Sequence, residues 1–348
     1  MILIYIWKGE LVMSKHKKRN KALILMIMGI ILLVGGIAVS ISLGAKNIDV
    51  RTIISSILCD NNDINTKIIR DMRIPRALAA ALVGGFLAVS GAIMQGITRN
   101  PIAEPSVMGI TQGATFMIAL SLVLQRINPN LVLGSFSKMM FAFLGASISG
   151  LFVYFISSRG IKKVDPVKLA LAGTAMGTLL ISLAMGISMY FNLSQELSFW
   201  IAGGLTSAKW QGVYLLLIVG TIGLIAAMIM APKITILSLG EEVAIGLGQR
   251  TNLVRFISLI IVILLTGASV SVAGNIVFVG LIVPQIVRGL IGADYKYIIP
   301  LSMLFGSVLL VYSDIVARMI NPPYETPIGS LTALLGVPIF IYLVRKEG

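Results

Sequence analysis

Cysteine and histidine are almost missing from this sequence. Among 348 residues only Cys59 and His16 carry those side chains. One cysteine makes no internal disulfide, and one cysteine with one histidine builds no Cys/His metal cage. A hydrolytic nucleophile–base pair built on histidine is equally hard to assemble, since His16 sits in a basic tail. Charge is scarce too, at 12% of residues, where a soluble domain carries about 25%. No GxxxxGK(S/T) phosphate loop occurs, so the chain holds no ATP site of that type. The acidic residues fall in loops or near the ends of apolar runs, Asp314 coming nearest to an exception. The mid-membrane carboxylates that many ion-coupled carriers keep are therefore not evident. Sodium sites built from carbonyls and hydroxyls leave no such trace, so a stand-alone secondary transporter or channel stays as the alternative reading.

What the sequence does have is hydrophobic surface. Apolar residues make up 57% of it and the mean hydropathy is +0.96. That composition leaves too little polar surface to face water, so lipid must be the solvent. A helix needs roughly 20 apolar residues to cross a bilayer. Runs bounded by charge, Pro or Asn predict about ten transmembrane helices, over 22–43, 74–97, 106–125, 138–158, 167–191, 211–231, 253–272, 276–291, 298–316 and 328–344. The expected fold class is an all-α polytopic membrane protein, one transmembrane domain over 1–348 with no soluble domain attached. The eighth run is short and contains Pro284, and Pro338 interrupts the last. Each proline frees a backbone carbonyl that something nearby must satisfy.

The net charge of +14 does not point to nucleic acid, because the basic residues are scattered through short loops and form no aromatic-lined stripe. The positive-inside bias and anionic lipid headgroups explain it. Residues 1–21 read as a cytoplasmic basic tail with Lys15, Lys17, Lys18, Arg19 and Lys21, leading into a retained first helix and not a cleaved signal. The first twelve residues read as a leader, with Met13 as an alternative start. With that tail inside, the Lys/Arg-rich junctions fall on the cytoplasmic side. The exception is 44–76, where Lys46, Arg51, Lys67, Arg70, Arg73 and Arg76 lie on the predicted outer side. Read from the residues alone, Arg73 and Arg76 snorkel to lipid phosphates at the head of the second span. Small residues at Gly84, Gly85, Gly91 and Gly96, at Ala142, Ala146 and Gly150, and at Gly173 and Gly177 predict closely packed helices.

The segment 235–250 falls on the cytoplasmic side between the sixth and seventh runs. Ser238 and Glu241 have capping-box spacing, and Leu239, Val243 and Leu247 recur at i, i+4 and i+8. Gly246 and Gly248 permit a turn and close backbone approach. This predicts a short amphipathic helix, suited either to a partner's groove or to the lipid surface.

Several segments together resemble the FecCD family, the permease subunits of importers for iron–siderophore complexes, haem and vitamin B12. The resemblance runs through Arg73-Ile74-Pro75-Arg76, Leu82 to Gly85, Ser90 to Gln95, and Asn100-Pro101-Ile102-Ala103-Glu104-Pro105. It continues in Leu171-Ala172-Gly173, in Trp200 with Gly203-Gly204, and in Leu239-Gly240-Glu241-Glu242 to Leu247-Gly248. It ends with Phe278 to Pro284, Asp314 with Arg318, and Gly329 to Pro338. The chain departs from the family at Gln285, where histidine is usual, and at Thr326, where leucine is usual.

The resemblance implies a type II ABC importer permease in a bacterial cell membrane. Such a permease is a homodimer, with two ATP-binding cassette subunits below and a separate extracytoplasmic substrate-binding protein above. ATP and Mg would sit on the ATPase, with no cofactor, metal or catalytic residue on this chain. The cargo would be an iron chelate (siderophore, haem) or a cobalamin-like complex, moved by alternating access. Carried over residue by residue, Arg73, Arg76 and Arg318 would meet acidic residues of the binding protein, explaining the outer basic segment. Leu239, Gly240, Glu241, Glu242, Val243, Leu247 and Gly248 would couple to the ATPase. Asp165, Pro166, Val167 and Lys168 would lie at the cytoplasmic gate. The fifth and tenth spans would line the path.

Overall fold

In lipid a backbone amide or carbonyl finds no water, so each apolar run satisfies its own backbone as a helix. The computed structural model describes residues 15–43, 56, 63–158, 166–322 and 324–347. Among these residues the long helices are α1 (Lys15–Ser42), α2 (Ile64–Thr98), α3 (Ile110–Ile127), α4 (Ser135–Ser157) and α5 (Pro166–Tyr190). After the short α6 (Ser194–Ala202) come α7 (Trp210–Ser238), the short α8 (Glu241–Gly246) and α9 (Thr251–Ala273). The chain then runs through α10 (Val279–Ile291) and α11 (Tyr295–Met319) to α12 (Ile328–Glu347). Eight of these are long and apolar enough to cross a membrane, and α10 and the apolar part of α12 are shorter. The ten expected runs thus map onto ten helices in order.

The differences lie at the ends. The second helix begins at Ile64, well before the apolar run, and winds as a π-helix over Ile68–Arg73 before returning to α geometry. The third begins at Ile110, after a 3-10 turn at Pro105–Met108. The eighth run yields only 13 helical residues, about 20 Å of helix against a hydrocarbon core of about 30 Å. Residues 274–278 lead into it as irregular chain, with Gly274 and Phe278 at positive φ. Met13 and Asp165 lie outside the described residues, and the described part of the basic tail, from Lys15, forms about the first two turns of α1.

The bundle is built around α2. Its apolar window is 89% buried, against 17% for α1 and for α5, so α2 is the core and the other two are peripheral. It packs on α7, α9, α10 and α11. Its glycines decide how closely. A methyl at Gly84 would run into the carbonyl oxygen of Gly306 on α11, and one at Gly91 into that of Gly280 on α10. Packing of this kind replaces the hydrophobic effect, which provides no drive between helices already in lipid. Gly35 on α1, by contrast, has open space where a Cβ would go.

Gly91→Ala should therefore force α2 and α10 apart, costing about 1–3 kcal/mol or more. Fluorescence-detected size exclusion of detergent extracts checks this: folded protein should drop severalfold in Gly91→Ala and hold in Gly35→Ala.

Candidate functional site: polar clusters at the two ends of the bundle

A helix leaves its last four carbonyls without partners. At the end of α1 those carbonyls are met by arginines from other helices. Arg73 donates to the carbonyls of Ile41 and Ser42 at 2.7 and 2.9 Å. Arg318 donates to the carbonyls of Ser40 and Leu43 at 3.2 Å and to the Ser40 hydroxyl at 2.7 Å. Positive charge also suits the negative end of a helix dipole. Beside them, Arg76 grips two carboxylates. It donates to Asp314 through Nε and Nη2 at 3.0 and 2.8 Å, and to Glu325 through Nη1 and Nη2 at 2.6 and 3.0 Å. Asp314, with no side-chain exposure, also pairs with Arg318 at 3.2 Å. The Thr206 hydroxyl donates to Glu325 at 2.6 Å.

The structure thus brings Arg73, Arg76 and Arg318 together, as the resemblance implied, but turns them inward. Arg73 is 8% exposed, and the Arg76 and Arg318 side chains are 12% and 10% exposed. Glu325 is the most open member, at 34%. Three guanidinium groups and two carboxylates thus lie together at this end of the bundle. Burial pushes the Glu325 carboxyl up, but hydrogen bonds from Arg76 and Thr206 and the nearby guanidinium charges outweigh it and hold it below the ordinary glutamate range. Sequence reasoning missed Glu325 and Thr206 as site residues. Neither lies near Arg76 in sequence, and no periodicity links them.

At the opposite end, Arg255 of α9 is 2% exposed. It pairs with Glu241 at 3.0 Å and reaches the Ile97 carbonyl near the end of α2 at 3.4 Å. That pair pins the first residue of α8 to the bundle. Ala244 is fully buried against it, while Leu239, Val243 and Leu247 stand 63%, 47% and 66% exposed. Of the expected stripe only Val243 lies on α8, because Gly240 interrupts the helix after Leu239 and Leu247 falls just past its end, though all three side chains face outward. The expected capping box is not formed. Ser238 donates to the Thr235 carbonyl instead, and the residue before α8 is Gly240, with no side-chain cap. Its φ of 142° is open to glycine and strained for other residues. Of the segment 235–250 only Glu241–Gly246 forms a separate helix, since Thr235 to Ser238 complete α7. Glu242 and Gly248 are exposed beside it.

Pro284 sits inside α10 and lacks the amide that would bond the Gly280 carbonyl. Gln95 of α2 supplies the replacement, donating to Gly280 and Leu281 at 3.3 and 3.1 Å. Gln285 in turn donates to the Gln95 side chain at 3.1 Å and to the Pro101 carbonyl at 2.6 Å. A neutral amide here ties three segments together where the family usually has an imidazole. Pro166, Val167 and Lys168 form the start of α5, with Val167 and Lys168 exposed. Among the described residues no group of three or more His, Cys, Asp or Glu is placed to hold a metal.

A bundle of helices long and apolar enough to cross a bilayer, with buried ion pairs at both ends, defines a multi-pass membrane protein. The chain belongs to the FecCD transport family, which it matches over residues 14–346. It is 47% identical over 327 residues to the iron(3+)-hydroxamate import system permease protein FhuB of Bacillus subtilis, covering 94% of this chain and 84% of that one. It is 39% identical to the Fe(3+)-citrate import system permease protein YfmD of the same organism, over 96% of this chain and 98% of the relative. Its fold superposes with a TM-score of 0.79 on a transporter described as of the metal-chelate ABC type, in an inward-facing conformation. That pair shares 26% identity and covers 92% of this chain and 98% of the other.

Two tests follow from the clusters. Glu325 has a lowered pKa when folded, so its contribution is full above the ordinary value of 4.5 and is lost as pH falls through the lowered one. Melting curves of purified protein should therefore show stability declining as pH falls below 4.5, and Glu325→Gln, which cannot titrate, should flatten part of that decline. Separately, Glu241→Ala leaves Arg255 buried without its carboxylate and should cost about 3 kcal/mol, seen as a lower melting temperature than Glu242→Ala.

Proposed function

We propose that this chain is the membrane-spanning permease subunit of a binding-protein-dependent ABC importer that carries a ferric chelate. The observation that carries this reading is α8. Leu239 and Leu247 at the two ends of this short cytoplasmic-end helix and Val243 on it turn outward, while a buried ion pair clamps its base. An apolar face held that rigidly fits a groove on a partner subunit, and in this family the expected partner is the ATP-binding cassette. The clamp matters mechanically, because force applied to α8 passes through Glu241 and Arg255 to α9 and to the end of α2. ATP turnover on the partner can then rock the helices without chemistry on this chain.

The outer cluster supplies the second contact. Its three arginines suit an acidic surface on a substrate-binding protein, which they would steer into place. Docking of this kind must compete with Asp314 and Glu325 for the arginines. A second copy of the chain completes the pathway, for which α5 is suited: it is largely exposed in the single chain, and Thr174, Thr178 and Ser182 recur at i, i+4 and i+8 on its open side. Iron would travel wrapped in its chelator, in keeping with the import-system names of the relatives.

Radiolabelled iron uptake into proteoliposomes holding permease, ATPase and binding protein tests the whole reading. ATP-dependent uptake of ferric hydroxamate or ferric citrate is expected, and uptake by the permease alone on an ion gradient would overturn it. Leu247→Asp should cut uptake at least tenfold while the protein stays folded. Arg76→Glu should weaken capture of the binding protein and leave ATPase assembly intact.

A further inference from the structure

The segment between α2 and α3 holds a carboxylate at a depth where none was expected. Thr98 ends α2 at the cytoplasmic side, and the chain then turns back through Pro101 and Glu104 to the 3-10 turn at Pro105–Met108. Glu104 borders a small cavity with Ser106, Thr111 and Thr266, walled by Leu87 and Ile276. Leu87 lies eleven residues from Arg76 and eleven from Thr98 on α2, roughly 16 Å from either end of the span. Glu104 accepts the Phe278 amide at 2.8 Å, which uses one of the roughly four acceptor sites of a carboxylate. Across the cavity stands Thr266 of α9. It is 2% exposed, and its hydroxyl has no hydrogen-bonding partner among the described residues.

We propose that this cavity binds one ordered water molecule, bridging the Glu104 carboxylate and the Thr266 hydroxyl. The room available, about 10 Å³, is what a single water centre requires. The hydrogen-bond count closes as well: the water accepts from Thr266 and donates to Glu104, satisfying the orphan hydroxyl and a free lone pair together. A cation fits worse. The carboxylate already faces the Phe278 amide at the N-terminus of α10, a positively polarised end that favours an anion without a metal. Glu104 and Ser106 are half-buried, which gives water a way in. The bridge joins the re-entrant segment to α9 through a contact that can lengthen without leaving the carboxylate bare.

A structure of the intact transporter complex at a resolution that shows waters tests this. The expected result is one density peak within hydrogen-bonding distance of both Glu104 and Thr266 Oγ1. Thr266→Val, which keeps the shape and removes the hydroxyl, should lose the peak, and Thr266→Ser should keep it. An empty cavity in the unaltered protein, or a peak that survives Thr266→Val, would overturn the proposal. So would melting temperatures that rise with sodium and not with potassium in the unaltered protein but not in Glu104→Gln, since the occupant would then be a cation.

Discussion

A backbone group in lipid has no water to fall back on, and most of this structure answers that constraint. Ten runs answer it by becoming helices. The harder cases are where helices stop or break inside the membrane's thickness. The end of α1 is closed by Arg73 and Arg318, the gap at Pro284 by Gln95, and the amide at the head of α10 by Glu104. In each case a polar side chain from a segment distant in sequence supplies what the local chain cannot. The polar residues of the bundle therefore mark its irregularities.

That arrangement also braces the ends of the bundle. Arg76 ties α2 to α11 and to the loop before α12 through two carboxylates. Arg255 ties α8 to α9 and to the end of α2. Both arginines are nearly buried, so loss of a partner strands a charge and carries a large penalty. Since α2 joins both clusters and is itself packed through glycines against α10 and α11, a push at α8 has a stiff route to the outer face.

Turning Arg73, Arg76 and Arg318 inward changes what recognition at that face would require. A docking partner's acidic groups would meet arginines already paired, with Glu325, the most exposed carboxylate, competing for Arg76. Under the proposed docking such a surface would discriminate by exchange, because a wrong partner would leave an existing bidentate pair broken without replacing it.

Sequence alone was enough to establish the membrane class, the order of the ten apolar runs and a short helix near Val243, because hydropathy and helical periodicity are local properties. It also carried the family resemblance, which drew Arg73, Arg76 and Arg318 into one set before any coordinates. What those residues touch emerges only when the chain is folded. Glu325 meets Arg76 across 249 positions and Phe278 meets Glu104 across 174, separations that leave no periodic trace. The missing cap at Ser238 has the same origin: local spacing allowed it, but the buried Arg255 claimed Glu241 and the backbone of Thr235 claimed the serine.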